Sequence, residues 1–131
     1  MHAGKILCID DEEVGLPVRK LMLESEGFEV AVATNSKAAL DLCGKFSFDL
    51  ILLDYSMPGM NGGEVAQATR LLHPQIPIVL LSAYLTLPEE HTQILDGHVT
   101  KGESTEALLA LIRKLIQREA DDPDSKERRT A

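Results

Sequence analysis

The chain has no tryptophan and few other aromatic residues, with three phenylalanines and two tyrosines among its 131 residues. So small a number provides no row of stacking surfaces for single-stranded nucleic acid. Basic residues are also outnumbered: 13 lysines and arginines against 21 aspartates and glutamates give a formal net charge of −8. A protein that binds nucleic acid or an anionic membrane needs a basic patch that neutralises phosphates. We therefore expect no direct nucleic-acid binding and no membrane binding.

Long hydrophobic runs and a secretion signal are also missing. No stretch approaches the roughly 18 apolar residues of a transmembrane helix, and the N-terminal sequence MHAGK lacks an apolar signal segment. The two cysteines, Cys8 and Cys43, fall within predicted core elements, which favours reduced, buried thiols. With 44% apolar and 26% charged residues, the sequence predicts one globular, cytoplasmic domain.

Five short apolar segments predict β-strands. The first, third and fourth are continuous apolar runs, which are typical of strands covered on both faces, whereas the second alternates and is expected near a sheet edge. Helical spacing of apolar residues predicts four helices, and a fifth, weaker helical segment covers residues 84–97. The predicted strands are 5–10, 29–34, 49–54, 77–82 and 98–101, and the predicted helices are 18–27, 36–46, 63–73 and 104–117. Strands that alternate with helices predict an α/β fold with a parallel sheet wound on both faces.

Details within these elements give further expectations. Val18, Leu21 and Met22 form the apolar stripe of the first helix, and Pro17 is tolerated only in a first turn, so the regular helix is expected to begin near Leu16. Ser104 is the predicted cap of the last helix. The folded domain is expected over residues 4–118. The polar segment 119–131 is expected to be disordered or to begin a linker.

Polar side chains collect where the predicted strands end. Parallel, doubly wound sheets bind ligands outside the carboxyl ends of their strands. Each of these residues alone has an ordinary explanation: the acidic run 10–13 favours a helix N-terminus, an aspartate can cap a loop, and a lysine is usually solvated. The agreement of four strand ends argues for a site instead. The residues delivered there are Asp10 and Asp11, Asp54, Ser82 and Lys101.

Three carboxylates in one small site need raised pKa values or a cation that neutralises them. Oxygen ligands without cysteine or histidine select a hard ion, and the spaced twelve-residue loop of a calcium EF-hand is absent, so Mg²⁺ is the expected cofactor. A metal ion, a lysine and a hydroxyl can together bind the oxygens of a phosphoryl group. An aspartate between them can act as its nucleophile, and Asp54 is the candidate.

With these residues in place, the chain resembles the receiver domains of two-component response regulators over residues 4 to about 118. The resemblance implies a flavodoxin-like (CheY-like) fold with strand order 2-1-3-4-5. It implies that Asp54 accepts a phosphoryl group from a histidine of a sensor histidine kinase or a histidine phosphotransfer protein. The motifs that carry the resemblance are ILCIDD with Asp10 and Asp11, LILLDYSMPGMNG with Asp54, Pro58 and Gly62, IVLLSA with Ser82, and Lys101.

The same resemblance implies roles for individual residues. Mg²⁺ would be held by Asp11, Asp54 and the backbone carbonyl of Ser56, with Asp10 acting through water. Lys101 and Ser82 would each bind a phosphoryl oxygen. Movement of Ser82 would then switch a protein-interaction surface made by the segment before the last strand, that strand and the last helix. The downstream partner is unknown.

Four positions depart from the usual receiver pattern. His98 stands where receivers often place a switch aromatic, and its charge varies with pH near neutrality. Gly102 stands where a proline usually follows a cis bond, and we expect a trans bond here, because a cis bond without proline costs about 3 kcal/mol. Ser56 and Tyr84 occupy the two positions that tune phosphoryl lifetime. Neither can orient an attacking water as a carboxylate or carboxamide would, so slow autodephosphorylation is expected.

Three functional classes stay open. The first is a phospho-accepting signalling module that is not itself an enzyme, beyond its own phosphoryl acceptance and hydrolysis; it is a stand-alone protein or a fragment of a longer regulator. The second is a phosphatase with an aspartate nucleophile, which resembles haloacid dehalogenases but would need a second aspartate where this chain has Ser56. The third is a pseudo-receiver scaffold that works without phosphorylation, which the departures at His98 and Gly102 keep open.

Overall fold

The computed structural model describes residues 4–11, 15–54, 62–82, 89, 93–100 and 104–121. Five parallel strands form one sheet in the order β2-β1-β3-β4-β5, which confirms the predicted topology. The strands are β1 (Lys5–Ile9), β2 (Glu29–Ala33), β3 (Leu50–Asp54), β4 (Ile78–Ser82) and β5 (Gly97–Thr100). The helices are α1 (Gly15–Ser25), α2 (Ser36–Lys45), α3 (Gly62–Leu72) and α4 (Thr105–Asp121).

Both faces of the sheet are covered, which is why its three central strands are continuous apolar runs. On one face, α1 and α4 pack over a core that includes Cys8, Leu52 and Ile112. On the other face, α2, α3 and residues 94–95 pack over a second core that includes Phe48 and Leu80. Every residue of β3 and β4 is buried. β2 lies at the sheet edge, as its alternating sequence predicts.

Local sequence signals fix three of the helix ends. Asn35 Oδ1 accepts a 2.8 Å hydrogen bond from the Ala38 amide at the start of α2, and Ser104 Oγ accepts from Ala107 N at 3.1 Å, as expected for the cap of α4. After α1, Gly27 adopts a φ of 95° that favours glycine. The amides of Gly27 and Phe28 return to carbonyls of the last turn, a Schellman ending.

The buried face of α1 differs from the predicted one. Val18 and Leu21 are 65% and 69% exposed, whereas Leu16 and Leu23 are buried. The residue between those two on the inward face is Arg19. Because Arg19 is charged, a search for hydrophobic residues at helical spacing does not identify this face as the buried one. The predicted apolar stripe of α1 is therefore wrong for Val18 and Leu21, and the helix turns its Leu16–Leu23 side toward the sheet.

The end of the last helix differs from its prediction, and two other segments with predictions lie outside the described residues. α4 continues to Asp121, so residues 119–121, which were expected to be disordered, are helical. The remaining tail, 122–131, lies outside the described residues, as does most of 84–92, where a short or displaced helix was expected. Within the part of the chain that the structure describes, no helix has the length and apolarity that crossing a membrane requires.

β5 and α4 pack unusually close together. A Cβ atom added to Gly97 would lie 2.8 Å from Leu111 Cδ2, so a larger residue would require the Leu111 side chain to move.

Candidate functional site

The carboxyl end of β1 places Asp10 at the edge where the candidate residues were expected. The amide of Asp10 donates to Ala33 O at 3.1 Å, which keeps the residue in line with the sheet beyond Ile9. Its side chain is only 1% exposed. Because a buried charge is costly without a partner, the ion pair with Arg19 matters: Arg19 Nη1 donates to Asp10 Oδ2 at 2.6 Å.

Asp11 and Asp54 lie next to Asp10. Asp54 is the last residue of β3, the neighbour of β1 in the sheet, and is 2% exposed, while Asp11 is half-buried. One carboxylate oxygen from each of the three residues lies within 4.8 Å of the others. Two unit charges at that distance repel by roughly 3 kcal/mol at an effective dielectric constant of about 20. The structure thus brings the three predicted acids together in an arrangement that favours a cation.

The donor atoms of this cluster suit a hard ion. All three are carboxylate oxygens, the ligands that Mg²⁺ takes in proteins. Cys8 lies two residues before Asp10, but burial raises the pKa of its thiol to about 12, an effect that Arg19 opposes and Asp10 reinforces. A neutral thiol is a poor metal ligand. The described residues therefore fit a divalent ion such as Mg²⁺.

Ser82 and His98 occupy the two strands beyond Asp54. Ser82 is the last residue of β4, is 1% exposed and pairs with Thr100, the last residue of β5. His98 pairs with Leu80, two positions below that end of the sheet, and is half-buried. No described residue forms a hydrogen bond with its buried Nε2 atom. Ser82 is thus at the same edge as Asp54, while His98 lies two positions before the end of its strand.

Several predicted site residues lie outside the described residues. They are Lys101, which directly follows Thr100 in the sequence, Ser56 and Tyr84. The expected trans bond between Lys101 and Gly102 lies outside them as well. The roles suggested for these residues stay predictions.

One residue of the site was missed by the sequence analysis. Arg19 contacts Asp10 from α1, nine positions along the chain. Its signal was its place on the helix: three residues after Leu16 and four before Leu23, it shares their inward face. Arg19 therefore belongs to the acidic site, although nothing in the pattern of strand ends points to it.

The buried thiol of Cys8 gives a prediction for the pH dependence of stability. Its pKa is raised from 9.0 to about 12 mainly by burial, so the folded state holds the proton more tightly than the unfolded state. The raised pKa of Cys8 adds to the free energy of unfolding. This contribution is fully present below pH 9 and is lost as the pH rises toward 12. We expect the unfolding free energy of the natural protein to fall more steeply than that of Cys8→Ala between pH 9 and 11. The difference should reach at most about 1.4 kcal/mol per pH unit.

Urea titrations at several pH values measure this difference. Lysines and tyrosines titrate in both proteins, so their contribution cancels in the comparison. Equal slopes for the two proteins would contradict the assignment of the raised pKa to Cys8.

The sequence as a whole matches one family over most of its length. Residues 6–113 match the family model of the response regulator receiver domain. The chain therefore belongs to the receiver domain family of response regulators. The uncharacterized transcriptional regulatory protein YkoG of Bacillus subtilis is 37% identical over 120 residues, which is 89% of this chain and 53% of that protein. The sensor protein GacS of Pseudomonas syringae is 31% identical over 121 residues, 86% of this chain but only 13% of that protein.

Solved structures agree with this assignment. The response regulator TrrA of Thermotoga maritima, solved in complex with Mg²⁺ and BeF, superposes with a TM-score of 0.81 at 33% identity and covers 88% of this chain and 99% of its own. The chemotaxis protein CheY4 of Vibrio cholerae gives 0.78 at 30% identity, with coverage of 85% and 97%. By contrast, the chain spans about half the length of a curated relative such as YkoG.

Proposed function

We propose that this chain is a phospho-accepting signalling module in which Asp54 takes a phosphoryl group from a histidine of a sensor kinase or a phosphotransfer protein. The observation that carries the proposal is the approach of the Asp10, Asp11 and Asp54 carboxylates to within 4.8 Å at the carboxyl edge of the sheet. In the transfer, the bond from phosphorus to the donor nitrogen breaks and a bond from phosphorus to an Asp54 oxygen forms. The product is an acyl phosphate on the protein.

Mg²⁺ would neutralise the charge that the incoming phosphoryl oxygens bring to an already acidic site. Asp11, Asp54 and the backbone carbonyl of Ser56 are the residues that would hold it, and Asp10 would act through water. Asp54 then has two functions, as an ion ligand and as the nucleophile. Its burial excludes bulk water from the carboxylate, which strengthens each electrostatic interaction there.

Ser82 and Lys101 would contact the remaining phosphoryl oxygens. Ser82 is buried at the end of β4 and pairs with Thr100, the last residue of β5; Lys101 follows Thr100 in the sequence. A hydroxyl that moves toward the phosphoryl group leaves its earlier position, and His98 on the adjacent strand would respond to the space it vacates. The result is a shift between two states of the surface around β5.

The wider context follows from the same proposal. The chain acts in the cytoplasm as a binding module and not as an enzyme with a separate substrate. Its partners are a histidine kinase or phosphotransfer protein upstream and a protein of unknown identity downstream. The relatives that include transcriptional regulators and a sensor protein support a place in two-component signalling.

The test is the intact mass of the protein after incubation with Mg²⁺ and acetyl phosphate. We expect the mass to rise by one phosphoryl group, and we expect no change when EDTA removes the ion. If neither acetyl phosphate nor a phosphorylated histidine phosphotransfer protein modifies the chain, the proposal fails. The alternative of a phosphorylation-independent scaffold would then be favoured.

Removal of the metal gives a second test, on stability. Asp11→Asn removes one of three mutually repelling charges, so in EDTA the variant is expected to be more stable than the natural protein by about 1–3 kcal/mol. In excess Mg²⁺ the order should reverse, because the natural protein gains binding free energy that the variant has lost. Urea unfolding in the two buffers measures both values. An Asp11→Asn advantage that stays the same in Mg²⁺ would show that Asp11 does not contribute to an ion site.

A further inference from the structure

Arg19 is built into the acidic site from the side of α1. The residue lies on the same helix face as Leu16 and Leu23, both of which are buried against the sheet. Its side chain is 20% exposed, and its Nη1 donates to an Asp10 oxygen at 2.6 Å. A charged hydrogen bond this short between mostly buried groups is not a solvated surface pair. The packing of α1 therefore holds one positive charge against the carboxylate cluster.

The charge of Arg19 also acts on an ion bound at the cluster. Its guanidinium contacts Asp10 directly, and an oxygen of Asp10 lies within 4.8 Å of oxygens of Asp11 and Asp54. A cation held among these carboxylates would therefore lie close to the guanidinium and be repelled by it.

We infer that Arg19 is a fixed counter-ion that sets the affinity of the acidic site for cations and its selectivity for divalent charge. The inference rests on the proposed function, since it concerns the ion site of that proposal. The three carboxylates carry three negative charges, Arg19 supplies one positive charge, and a divalent ion supplies the other two. The site is then neutral when a divalent ion is bound. Arg19 acts through its charge: it lowers the affinity for every cation, and it does so more strongly for ions of higher charge.

This role predicts tighter cation binding when Arg19 loses its charge. In Arg19→Met the flexible side chain keeps the packing of the inward face of α1, while the repulsion between guanidinium and ion disappears. We expect the affinity for Mg²⁺ to rise on the order of ten-fold. A trivalent ion is repelled 1.5 times as strongly, so Tb³⁺ should gain about thirty-fold and the preference for Tb³⁺ over Mg²⁺ should increase about three-fold.

The experiment is calorimetric titration of MgCl₂ and of TbCl₃ into four proteins: the natural chain, Arg19→Met, Arg19→Lys and Lys20→Met. Arg19→Lys keeps the charge and should stay close to the natural protein in both affinities. Lys20 is the neighbouring cation on α1, where its Nζ lies 2.8 Å from Glu24. Lys20→Met therefore removes the same charge from the same helix without touching the acidic site. Its ion affinities should change less than two-fold.

The outcomes separate this inference from the proposed function. If the natural protein binds no Mg²⁺, both the ion site and the role of Arg19 are contradicted. If the natural protein binds Mg²⁺ and the folded Arg19→Met variant binds it equally or more weakly, only the counter-ion role is contradicted. Equal tightening in Arg19→Met and Lys20→Met overturns it as well, because net charge alone would then explain the result. Thermal unfolding of each variant establishes that it is folded.

Discussion

Asp54→Asn is expected to abolish the phosphoryl mass increase that acetyl phosphate and Mg²⁺ produce in the natural protein. The carboxamide is neutral and nearly the same size as the carboxylate, so it fits the 2% exposed position at the end of β3. It has no negatively charged oxygen to attack phosphorus, and it is a weaker ligand for a hard ion. Intact-protein mass spectrometry after equal incubation times measures the loss.

Two controls make this result specific to Asp54. Asp41 is an exposed aspartate on α2, and Asp41→Asn should be modified as fully as the natural protein. The Asp54→Asn protein should also unfold at a temperature no lower than the natural protein in EDTA, because one of three repelling charges has been removed. Full modification of Asp54→Asn would contradict the assignment, and peptide mapping would then locate the acceptor.

The strands and the acidic site follow from sequence because both depend on local signals. A continuous apolar run such as that of β3 must be buried on both faces, and its abrupt end in Asp54 marks where the strand leaves the core. Parallel strands share one carboxyl edge, so the sequence alone predicts that Asp10, Asp54 and Ser82 lie together. The order of strands came from the resemblance to receiver domains and not from these patterns.

The sequence reasoning failed where a charge replaces an apolar side chain in a packed position. On α1, the apolar set Val18 and Leu21 looked like the buried stripe, yet the helix turns Arg19 inward and leaves those two exposed. The ion pair with Asp10 makes that orientation favourable, and a pattern based on hydrophobicity gives a pair of opposite charges no weight. The same limitation applies to the contacts of Arg70, none of which any motif indicated.

Arg70 makes five side-chain hydrogen bonds within the described part of the chain. It lies in the last turn of α3, where Nη1 donates to the carbonyls of Pro74 and Ile76 at 2.9 and 2.8 Å. Nη2 donates to Ile94 O at 2.8 Å and to Asp96 Oδ2 at 2.7 Å. One guanidinium thus joins the end of α3 to the residues before β4 and to those before β5.

We expect Arg70→Met to lower the free energy of unfolding by about 3–5 kcal/mol. The methionine keeps much of the apolar stem, but three carbonyl groups lose the Arg70 donor and the Asp96 carboxylate loses its charged partner. Arg70 and Asp96 are only 22% and 23% exposed, so water replaces those hydrogen bonds poorly. Urea unfolding at neutral pH measures the loss.

The matched control is Arg113→Met, which breaks the pair with Glu26 on the opposite face of the sheet. That pair has a similar distance, 2.8 Å, but its members are 51% and 42% exposed, and we expect a loss of less than about 1 kcal/mol. Similar losses in the two variants would show that the Arg70 contacts carry no more weight than a surface ion pair. Asp96→Asn should fall between them, because its remaining oxygen can still accept from the Ile78 amide. Since that amide opens β4, the strand that ends in Ser82, the Arg70 contacts fix one end of a strand whose other end lies at the candidate site.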